Sequence, residues 1–301
     1  MIELPPLNTL QLVSRLRRQA TEHKGNAGKV LLIGGAPGMA GALLLAANAC
    51  LHLGAGWTIL EMLDPASAHA NAEQAEFMIH LASKDAGQLI TNTQPDLIAI
   101  GPGLGSSELA KDYLRACLLY PRIPLVIDAD ALNLIAQDKN LLELLQARNR
   151  AFLNSSVITP HPGEAARILQ LSTQAIQADR IHAVTELIKL TNSIVVLKGH
   201  HTLVGSSNHP PLVCQQGNPG MGTGGMGDVL TGAIAAIAAQ GIEHHLDLWE
   251  ATGIAVQLHA SAADSLVARH IGPIGLTPTE VILEMRNLLN RLIEITCNLP
   301  A

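Results

Sequence analysis

Short, nearly continuous apolar runs alternate with longer helical patterns through most of this 301-residue chain. Such runs are typical of strands buried on both faces of a parallel sheet, because the helices that connect parallel strands cover both faces. The pattern therefore predicts an α/β fold with a mostly parallel central sheet between two layers of helices. The predicted strands span residues 29–35, 57–63, 96–101, 124–130, 155–160 and 193–199, and the predicted helices span 40–54, 107–119, 140–148, 163–170, 174–191, 226–240, 247–266 and 278–292.

The sequence also predicts a hairpin, the number of domains and the place of the last helix. The segments HTLVG and PLVCQQG, separated by SSNHP, predict a small hairpin late in the sheet. Neither a linker rich in Pro, Gly or Ser nor an internal repeat interrupts the sequence, so the simplest interpretation is one domain over residues 1–301. The last helix, with its RNLLNRLIEI spacing, either caps the sheet or joins a neighbouring subunit.

Composition excludes several classes of function. A net charge of -6 argues against a nucleic-acid or anionic-membrane partner. The four cysteines are scattered and form no C-x-x-C pair, which favours a reducing compartment over a disulfide framework or a zinc site. The N-terminus MIELPPLNTL lacks the basic start and apolar run of a signal peptide, and no apolar stretch is long enough to span a bilayer. We therefore expect a soluble cytoplasmic protein.

Unusual polar segments follow the predicted strands. GGAPGMAGA follows the first strand, GPGLGSS the third, DADALN the fourth, PHPGE the fifth and KGHHT the sixth. In an open α/β sheet, ligands bind beyond the carboxyl ends of the strands. Because these ends share one edge if the strands are parallel, we expect the segments to converge on a single site.

The segment GNPGMGTGGMGDVLTG, residues 217–232, places Asp228 where a glycine loop becomes an apolar helix. Glycines at a helix start present backbone N–H groups that bind phosphate. Asp228 then has two interpretations. It is either an acid that stabilises the helix N-terminus, or a base that takes a proton from a substrate hydroxyl while the loop holds the transferring phosphoryl group.

Further candidates carry weaker signals. His161 lies between two prolines, which suits substrate contact better than metal ligation, although Glu164 completes an H-x-x-E spacing. Lys198 is either a partner for nucleotide phosphate or a solvated lysine in a turn. Asp128 or Asp130 could hold Mg²⁺ through water. The first glycine segment is spaced G-x-x-G-x-x-G, so it is only a weak dinucleotide signal, even with an acid, Glu61, ending the next strand.

Taken together, HKGNAGKVLLIGG, GMAGA, IGPGLG, VIDADALN, TPHPGE, VLKGHHTLV and NPGMGTGGMGDVLTG occur in this order over about residues 23–240. This set closely resembles the NAD(P)H-hydrate dehydratase family, which has a ribokinase-like fold. The resemblance implies that ADP or ATP, with Mg²⁺, phosphorylates the 6-hydroxyl of the hydrates NADHX and NADPHX. Phosphate then leaves and restores NADH or NADPH. The resemblance also implies a homo-oligomer, with a tetramer favoured, and a separate epimerase as functional partner.

The resemblance assigns roles by position. Asp228 matches the acid that activates the hydroxyl, and Ala42, Gly103 and His161, with Asp228, match residues that hold the hydrate. The nucleotide-binding positions are Lys198, Gly199, His200, His201, Thr202, Asn218, Gly224, Gly225 and Gly227. One departure is Met226, which stands where relatives usually carry a small hydroxylic residue. The epimerase domain often fused ahead of this one is absent, so the sequence predicts a stand-alone form.

Three alternatives stay open. A small-molecule kinase for a vitamin-type alcohol would share the glycine loop and Asp228 but stop at the phosphorylated product. A non-catalytic nucleotide-binding protein has no need of an acid at position 228. A nicotinamide-dependent oxidoreductase is disfavoured by the glycine spacing.

Overall fold

The computed structural model describes residues 4–69 and 75–297, and this part of the chain forms a nine-stranded sheet. The strands are β1 (Lys29–Gly34), β2 (Trp57–Met62), β3 (Met78–Leu81), β4 (Leu97–Ile100), β5 (Leu125–Ile127), β6 (Ser156–Ile158), β7 (Ile194–Leu197), β8 (Leu203–Ser206) and β9 (His209–Val213). Their order in space is β3-β2-β1-β4-β5-β6-β7-β8-β9. The strands from β3 to β7 run parallel, and β8 and β9 form an antiparallel hairpin at one edge. The mostly parallel sheet and the late hairpin are confirmed.

Helices cover both faces of this sheet. They are α1 (Leu10–Val13), α2 (Ala40–His52), α3 (Ala86–Thr93), α4 (Glu108–Leu119), α5 (Ala129–Gln137), α6 (Lys139–Ala151), α7 (Pro162–Leu169), α8 (Thr173–Ala178), α9 (Arg180–Thr191), α10 (Met226–Gly241), α11 (Leu248–Ala268) and α12 (Pro278–Cys297). Alternate residues of β1 enter two separate cores: Val30 and Leu32 face α2, α10, α11 and α12, whereas Leu31 and Ile33 face α3 to α9. The three-layer α/β architecture is therefore confirmed.

Some boundaries differ from the sequence prediction. Strand β5 ends at Ile127 rather than at residue 130, because Asp128 precedes α5 and Ala129 has a left-handed φ of 48°. The predicted helix over 174–191 is two helices, α8 and α9, separated at Asp179, whose side chain accepts a hydrogen bond from His182 N. Strand β3 and helices α1, α3 and α5 were not predicted.

Helix α10 is the central element of one layer. Fourteen of its residues are buried, and Gly232 lets it approach α2 so closely that a Cβ there would lie 1.9 Å from the backbone oxygen of Ala46. Since this helix is fixed along its length, its first turn holds Asp228 in a defined place at the sheet edge. Helix α12 packs on α11 and α2, which supports the capping interpretation of the last helix. None of the helices in the described ranges is both long and apolar enough to cross a membrane.

Candidate active site

The strand-end segments meet at one edge of the sheet, as predicted. Backbone hydrogen bonds join Asp128 N to Ile100 O (3.1 Å), Thr159 N to Ile127 O (3.1 Å) and Lys198 N to Pro160 O (2.9 Å). A cavity of about 780 Å³ opens above them and is also walled by the glycine loop and α11. The predicted site residues that line it are His161, Lys198, Gly199, His200, Thr202, Asn218, Gly224, Gly225, Gly227 and Asp228.

The glycine loop ends in an open helix N-terminus. Gly225 is the N-cap of α10, has a φ of 95°, and provides no side-chain hydrogen bond to the first turn. Only glycine suits this position, because a Cβ would strain the backbone and lie 2.5 Å from Leu45 Cδ1. Met226 N donates to Thr223 O (3.4 Å), whereas the N–H groups of Gly227 and Asp228 remain available to an anion in the cavity.

Asp228 occupies the third residue of α10, where a capping carboxylate would be expected. Its side chain does not cap the helix, and it makes no hydrogen bond to any residue that the structure describes. Burial, followed by the negative charge of Asp128, raises the pKa of Asp228 to about 7, although the Lys198 ammonium opposes this shift. A carboxylate with a pKa near the working pH is suited to general base catalysis. The helix-stabilising interpretation accounts for neither feature.

Lys198 is neither solvated nor free. Its Nζ donates to Asp128 Oδ1 at 2.7 Å and lies 3.9 Å from Glu164 Oε2. The other Asp128 oxygen accepts a 2.7 Å hydrogen bond from Thr231 of α10. Burial disfavours the charged ammonium, but the carboxylates of Asp128 and Glu164 outweigh it, so that the pKa of Lys198 lies above its ordinary value. The cavity thus has a fixed positive charge beside Asp228.

The position of Lys198 explains why residue 227 is a glycine. A Cβ at Gly227 would lie 3.2 Å from Lys198 Nζ and 3.8 Å from Asp128 Oδ2. The absence of a side chain in the first turn of α10 therefore lets the ammonium sit directly against the helix start. The ammonium and the helix start both attract negative charge to this point, whereas the neighbouring Asp128 carboxylate opposes it.

His161 is held by its own helix. Its Nδ1 accepts hydrogen bonds from Gly163 N (2.9 Å) and Glu164 N (3.3 Å), and Glu164 accepts in return from His161 N (2.7 Å). This capping box fixes the ring at the start of α7. Because Nδ1 is an acceptor, Nε2 carries the proton, and burial followed by the Lys198 charge keeps the pKa of His161 below its ordinary value. Nε2 lies 3.3 Å from Glu164 Oε1, so the neutral, half-exposed ring is held on both sides by Glu164 and offers a fixed surface to a substrate.

Comparison with known proteins adds an independent finding. Residues 30–287 match the NAD(P)H-hydrate dehydratase family. The chain belongs to this family. It is 35% identical over 278 residues to the ADP-dependent (S)-NAD(P)H-hydrate dehydratase of Neisseria meningitidis, covering 91% of this chain and 89% of that protein.

Two further relatives place the chain by length and by fold. It is 37% identical over 276 residues to the bifunctional NAD(P)H-hydrate repair enzyme of Coxiella burnetii, covering 91% of this chain and 53% of that enzyme. The chain spans about half the length of the first curated relatives that it matches. A solved ribokinase-like superfamily protein from Enterococcus faecalis superposes with a TM-score of 0.73 at 28% identity, covering 94% of each chain. The predicted family and the ribokinase-like fold are confirmed.

Two positions that the dehydratase resemblance assigned to the hydrate lie outside the cavity lining. Ala42 is in the first turn of α2, and Gly103 follows β4 with a φ of 57°. The two residues face each other, because a Cβ on Gly103 would lie 3.2 Å from Ala42 Cβ. Gly105 N donates to Asp130 Oδ2 (2.9 Å), which ties this loop to the strand end that carries Asp128. Ala42 and Gly103 therefore pack together along the same sheet edge, with Gly103 buried and Ala42 partly exposed.

Residues 198–202, which the resemblance assigned to the nucleotide, are held in place by Arg180 of α9. Its guanidinium donates to the backbone oxygens of Leu197 (3.0 Å), Lys198 (3.3 Å) and His201 (3.4 Å). His200 and Thr202 line the cavity, whereas His201 has a φ of 56° and stacks on His200 at 3.9 Å. Arg180 lies 18 positions before Lys198 and carries no motif that could have indicated this role.

Asn218 and Met226 differ from what the dehydratase motif alone suggests. The Asn218 amide is engaged within the protein, since Nδ2 donates to Asp264 Oδ1 (2.9 Å) and Oδ1 accepts from Gly220 N (3.0 Å). Asp264 was missed by sequence reasoning, because nothing local marks it. Met226 is 4% exposed, so its side chain belongs to the core, and its backbone N–H donates to Thr223 O at 3.4 Å.

Two more cavity residues were not predicted. His259 of α11 is buried, its Nε2 has no hydrogen-bond partner among the described residues, and burial followed by the Lys198 charge lowers its pKa to about 4. It is therefore neutral at physiological pH. Gln216 lies just before the glycine loop and forms part of the same wall. Glu61, by contrast, is fully buried and accepts from Tyr113 (2.9 Å), so it cannot bind a ribose.

The described residues do not form a magnesium site from protein ligands alone. Within residues 4–69 and 75–297, no group of three or more His, Cys, Asp or Glu side chains could hold a metal ion. Both oxygens of Asp128 are engaged by Lys198 and Thr231, and one oxygen of Asp130 accepts from Gly105. Mg²⁺ commonly keeps several waters and binds through one or two carboxylates together with substrate phosphates. The site fits an ion that arrives with a nucleotide better than a resident one.

Proposed function

We propose that this chain, as a single domain, dehydrates (S)-NADHX and NADPHX to NADH and NADPH in an ADP- or ATP-dependent reaction. The observation that carries the proposal is the Asp228 carboxylate in the first turn of α10. It makes no capping hydrogen bond to the helix, and its pKa is raised to about 7. The family match and the Neisseria relative support the substrate class.

The reaction has two stages. Asp228 takes the proton of the 6-hydroxyl, the hydroxyl oxygen attacks the terminal phosphorus of the nucleotide, and the bond from that phosphorus to the bridging oxygen breaks. The new phosphate ester then leaves C6, because the ring nitrogen supplies an electron pair, and loss of a proton from C5 completes the dihydropyridine. A hydroxyl is a poor leaving group and phosphate a good one, so phosphorylation makes the elimination feasible.

The protein contributes placement and charge stabilisation. The glycine loop and the open N-terminus of α10 receive the phosphates, and Lys198 balances charge on the transferring group. Residues 198–202 hold the adenylate, together with Asn218, Gly224, Gly225 and Gly227. His161, Ala42 and Gly103 hold the hydrate. When bound with the nucleotide, Mg²⁺ neutralises phosphate charge.

The decisive experiment supplies purified protein with hydrated NADH, Mg²⁺ and either ADP or ATP, and follows the return of dihydronicotinamide absorbance. Recovery of absorbance with stoichiometric release of phosphate is the expected result. Accumulation of a phosphorylated hydrate without NADH would support the alternative of a small-molecule kinase. If neither nucleotide were consumed, the non-catalytic binding protein would be the better description.

The cellular setting is part of the proposal. The four cysteines are free, which supports a reducing cytoplasm. A separate epimerase would supply the S epimer that this site accepts. We also propose a homo-oligomer, and the family resemblance favours a tetramer. Met78 and Leu81 on the edge strand β3 are 39% and 51% exposed and offer an apolar edge that a second copy could cover. A sedimentation mass equal to one chain at micromolar concentration would contradict the oligomer.

A further inference from the structure

The entrance of the glycine loop is tied to α11 by one side chain. Asp264 Oδ2 accepts a hydrogen bond from Gly217 N (2.8 Å), and Asp264 Oδ1 accepts from Asn218 Nδ2 (2.9 Å). Asn218 extends this hydrogen-bond network into the loop, because its Oδ1 accepts from Gly220 N (3.0 Å). Both carboxylate oxygens of Asp264 are thus engaged by residues that precede the phosphate-binding turn.

The middle of the loop has contacts of its own, because Gly220 is buried beside Pro273 and Leu276 and Met221 packs against the core. A Cβ at Gly222 or Gly224 would meet nothing within 4 Å, so there is open space beside these two glycines. At the entrance, Gly217 and Asn218 are tied to α11 by their hydrogen bonds to Asp264. Gly217 has a φ of 109°, a conformation that only glycine adopts readily. The far end is fixed differently, because Gly225 packs on Leu45 and Pro278 and leads directly into α10. A glycine-rich segment loses much conformational freedom on ordering, so a fixed entrance lowers the cost of receiving a ligand.

We propose that Asp264 is a positioning residue that holds the glycine loop in the conformation that receives the nucleotide phosphates. It acts through Gly217 and Asn218, which line the cavity, whereas Asp264 itself does not. The inference rests on the proposed function, in which the loop binds a nucleotide. It assigns the effect of Asp264 to nucleotide affinity and not to the hydrate side of the site.

The chemistry explains why a carboxylate is required. Two donors, a backbone N–H and an amide NH₂, face the two oxygens of Asp264. In Asp264→Asn, the new amide nitrogen would face either Asn218 Nδ2 or Gly217 N, and one donor would lose its acceptor. The exchange N218D/D264N restores the pairing with reversed polarity, because the amide at position 264 then donates to the carboxylate at position 218.

The test compares wild type, D264N and N218D/D264N with D96N as a matched control. Asp96 is also partly buried and accepts one backbone hydrogen bond, from Lys29 N at 2.8 Å, but it lies at the amino ends of the strands. The measurements are Kd for Mg-ADP and Mg-ATP by calorimetry, KM for the hydrate at saturating nucleotide, and melting temperature. We expect D264N to weaken nucleotide binding by roughly 10- to 100-fold, as for loss of a charged hydrogen bond. The KM for the hydrate should stay within about twofold of wild type.

The outcomes separate this inference from its alternatives. Partial recovery of nucleotide affinity in N218D/D264N, with D96N like wild type, supports the positioning role. Unchanged nucleotide affinity in D264N overturns it, and so does an equal loss for both substrates together with a lowered melting temperature. If D264N does not fold, a folded D264S that binds Mg-ADP as tightly as wild type overturns it too, because serine lacks the second acceptor oxygen. A wild-type protein that binds Mg-ADP but dehydrates nothing contradicts the proposed function alone, whereas a wild-type protein that binds no nucleotide contradicts both.

Discussion

Lys198 Nζ lies 2.7 Å from Asp128 Oδ1, and the Asp128 side chain is only 1% exposed. The pair spans two strand ends, those of β7 and β5, which are separated in the sheet by β6. It therefore has two roles that experiments can separate. It satisfies a buried carboxylate, and it holds a positive charge against the start of α10.

Replacing the lysine should expose both roles. In Lys198→Met, Asp128 keeps its bond to Thr231 but loses its counter-charge, so we expect the free energy of unfolding to fall by about 3–5 kcal/mol. The double variant D128N/K198M removes both charges and should recover most of this loss, while nucleotide affinity stays low. Chemical denaturation and calorimetry measure the two effects. Restored nucleotide binding in the double variant would show that the ammonium does not contact phosphate.

Gly227→Ala tests the close approach of the helix and the lysine. The new methyl group would lie 3.2 Å from Lys198 Nζ, so the ammonium must shift by a few tenths of an ångström. Stability should not fall, because Ala favours a helix more than Gly does. We expect kcat/KM to fall by roughly tenfold, the effect of a misplaced charged contact. Gly87→Ala is the control, since Gly87 also lies in the first turn of a helix, α3, and its Cβ would meet only Asp85 Oδ1 at 3.9 Å.

Arg180→Lys tests the support of the 198–202 segment. One ammonium cannot reach the three carbonyl oxygens that the guanidinium bonds, so the segment should lose part of its definition. We expect KM for the nucleotide to rise by roughly tenfold, with a smaller change in KM for the hydrate. Arg115→Lys, which alters a surface pair with Asp112 at 2.8 Å, should leave both constants unchanged. Equal changes in the two KM values would mean that Arg180 supports the whole site rather than the nucleotide segment.

The sequence predicted much of this site because its signals are local. Asp128, His161 and Lys198 each follow an apolar strand, and parallel strands bring their ends to one edge. The roles of Arg180 and Asp264 were not predictable in this way, because each contacts a loop that lies far away along the chain. Asp264 is 47 positions from Gly217, and only the packing of α11 beside the glycine loop brings them together.

The unpredicted strand β3 has a similar explanation. Its residues Met78, His80 and Leu81 are exposed at the sheet edge, so the continuous apolar run that marks a central strand is missing. Helix α5 was missed because Asp128 and Asp130 made the segment appear to be a strand end alone. In the structure, Asp128 is at once the end of β5 and the residue that precedes α5.

The pH dependence of activity should report Asp228. Burial, then Asp128, raises the pKa of its carboxyl group to about 7, and the base must be ionised to accept the hydroxyl proton. We therefore expect kcat/KM to rise about tenfold per pH unit below pH 7 and to level off above it. Asp128→Asn removes the negative neighbour and should move the midpoint of this profile to lower pH. An identical midpoint in that variant would assign the ionisation to another group.

Asp228→Asn distinguishes a catalytic base from a helix-stabilising acid. The amide is the same size but cannot accept the hydroxyl proton, so turnover should fall by roughly 10²–10⁴-fold while nucleotide affinity is kept.

The pH dependence of the stability of the Asp228→Asn variant is a second, independent test. Because the pKa of Asp228 is raised in the folded state, the folded chain retains a proton between about pH 4 and 7 that the unfolded chain has lost. The stability that this group contributes is full below pH 4 and disappears as the pH rises through 7, where a charged carboxylate must stay buried. The Asn variant should therefore melt at a higher temperature than wild type at pH 8 and at a similar temperature at pH 4. An acid that only stabilised the helix would give the reverse, with wild-type turnover and a melting temperature lowered at pH 8. Melting curves at both pH values, beside turnover assays on the same preparations, decide between the two roles.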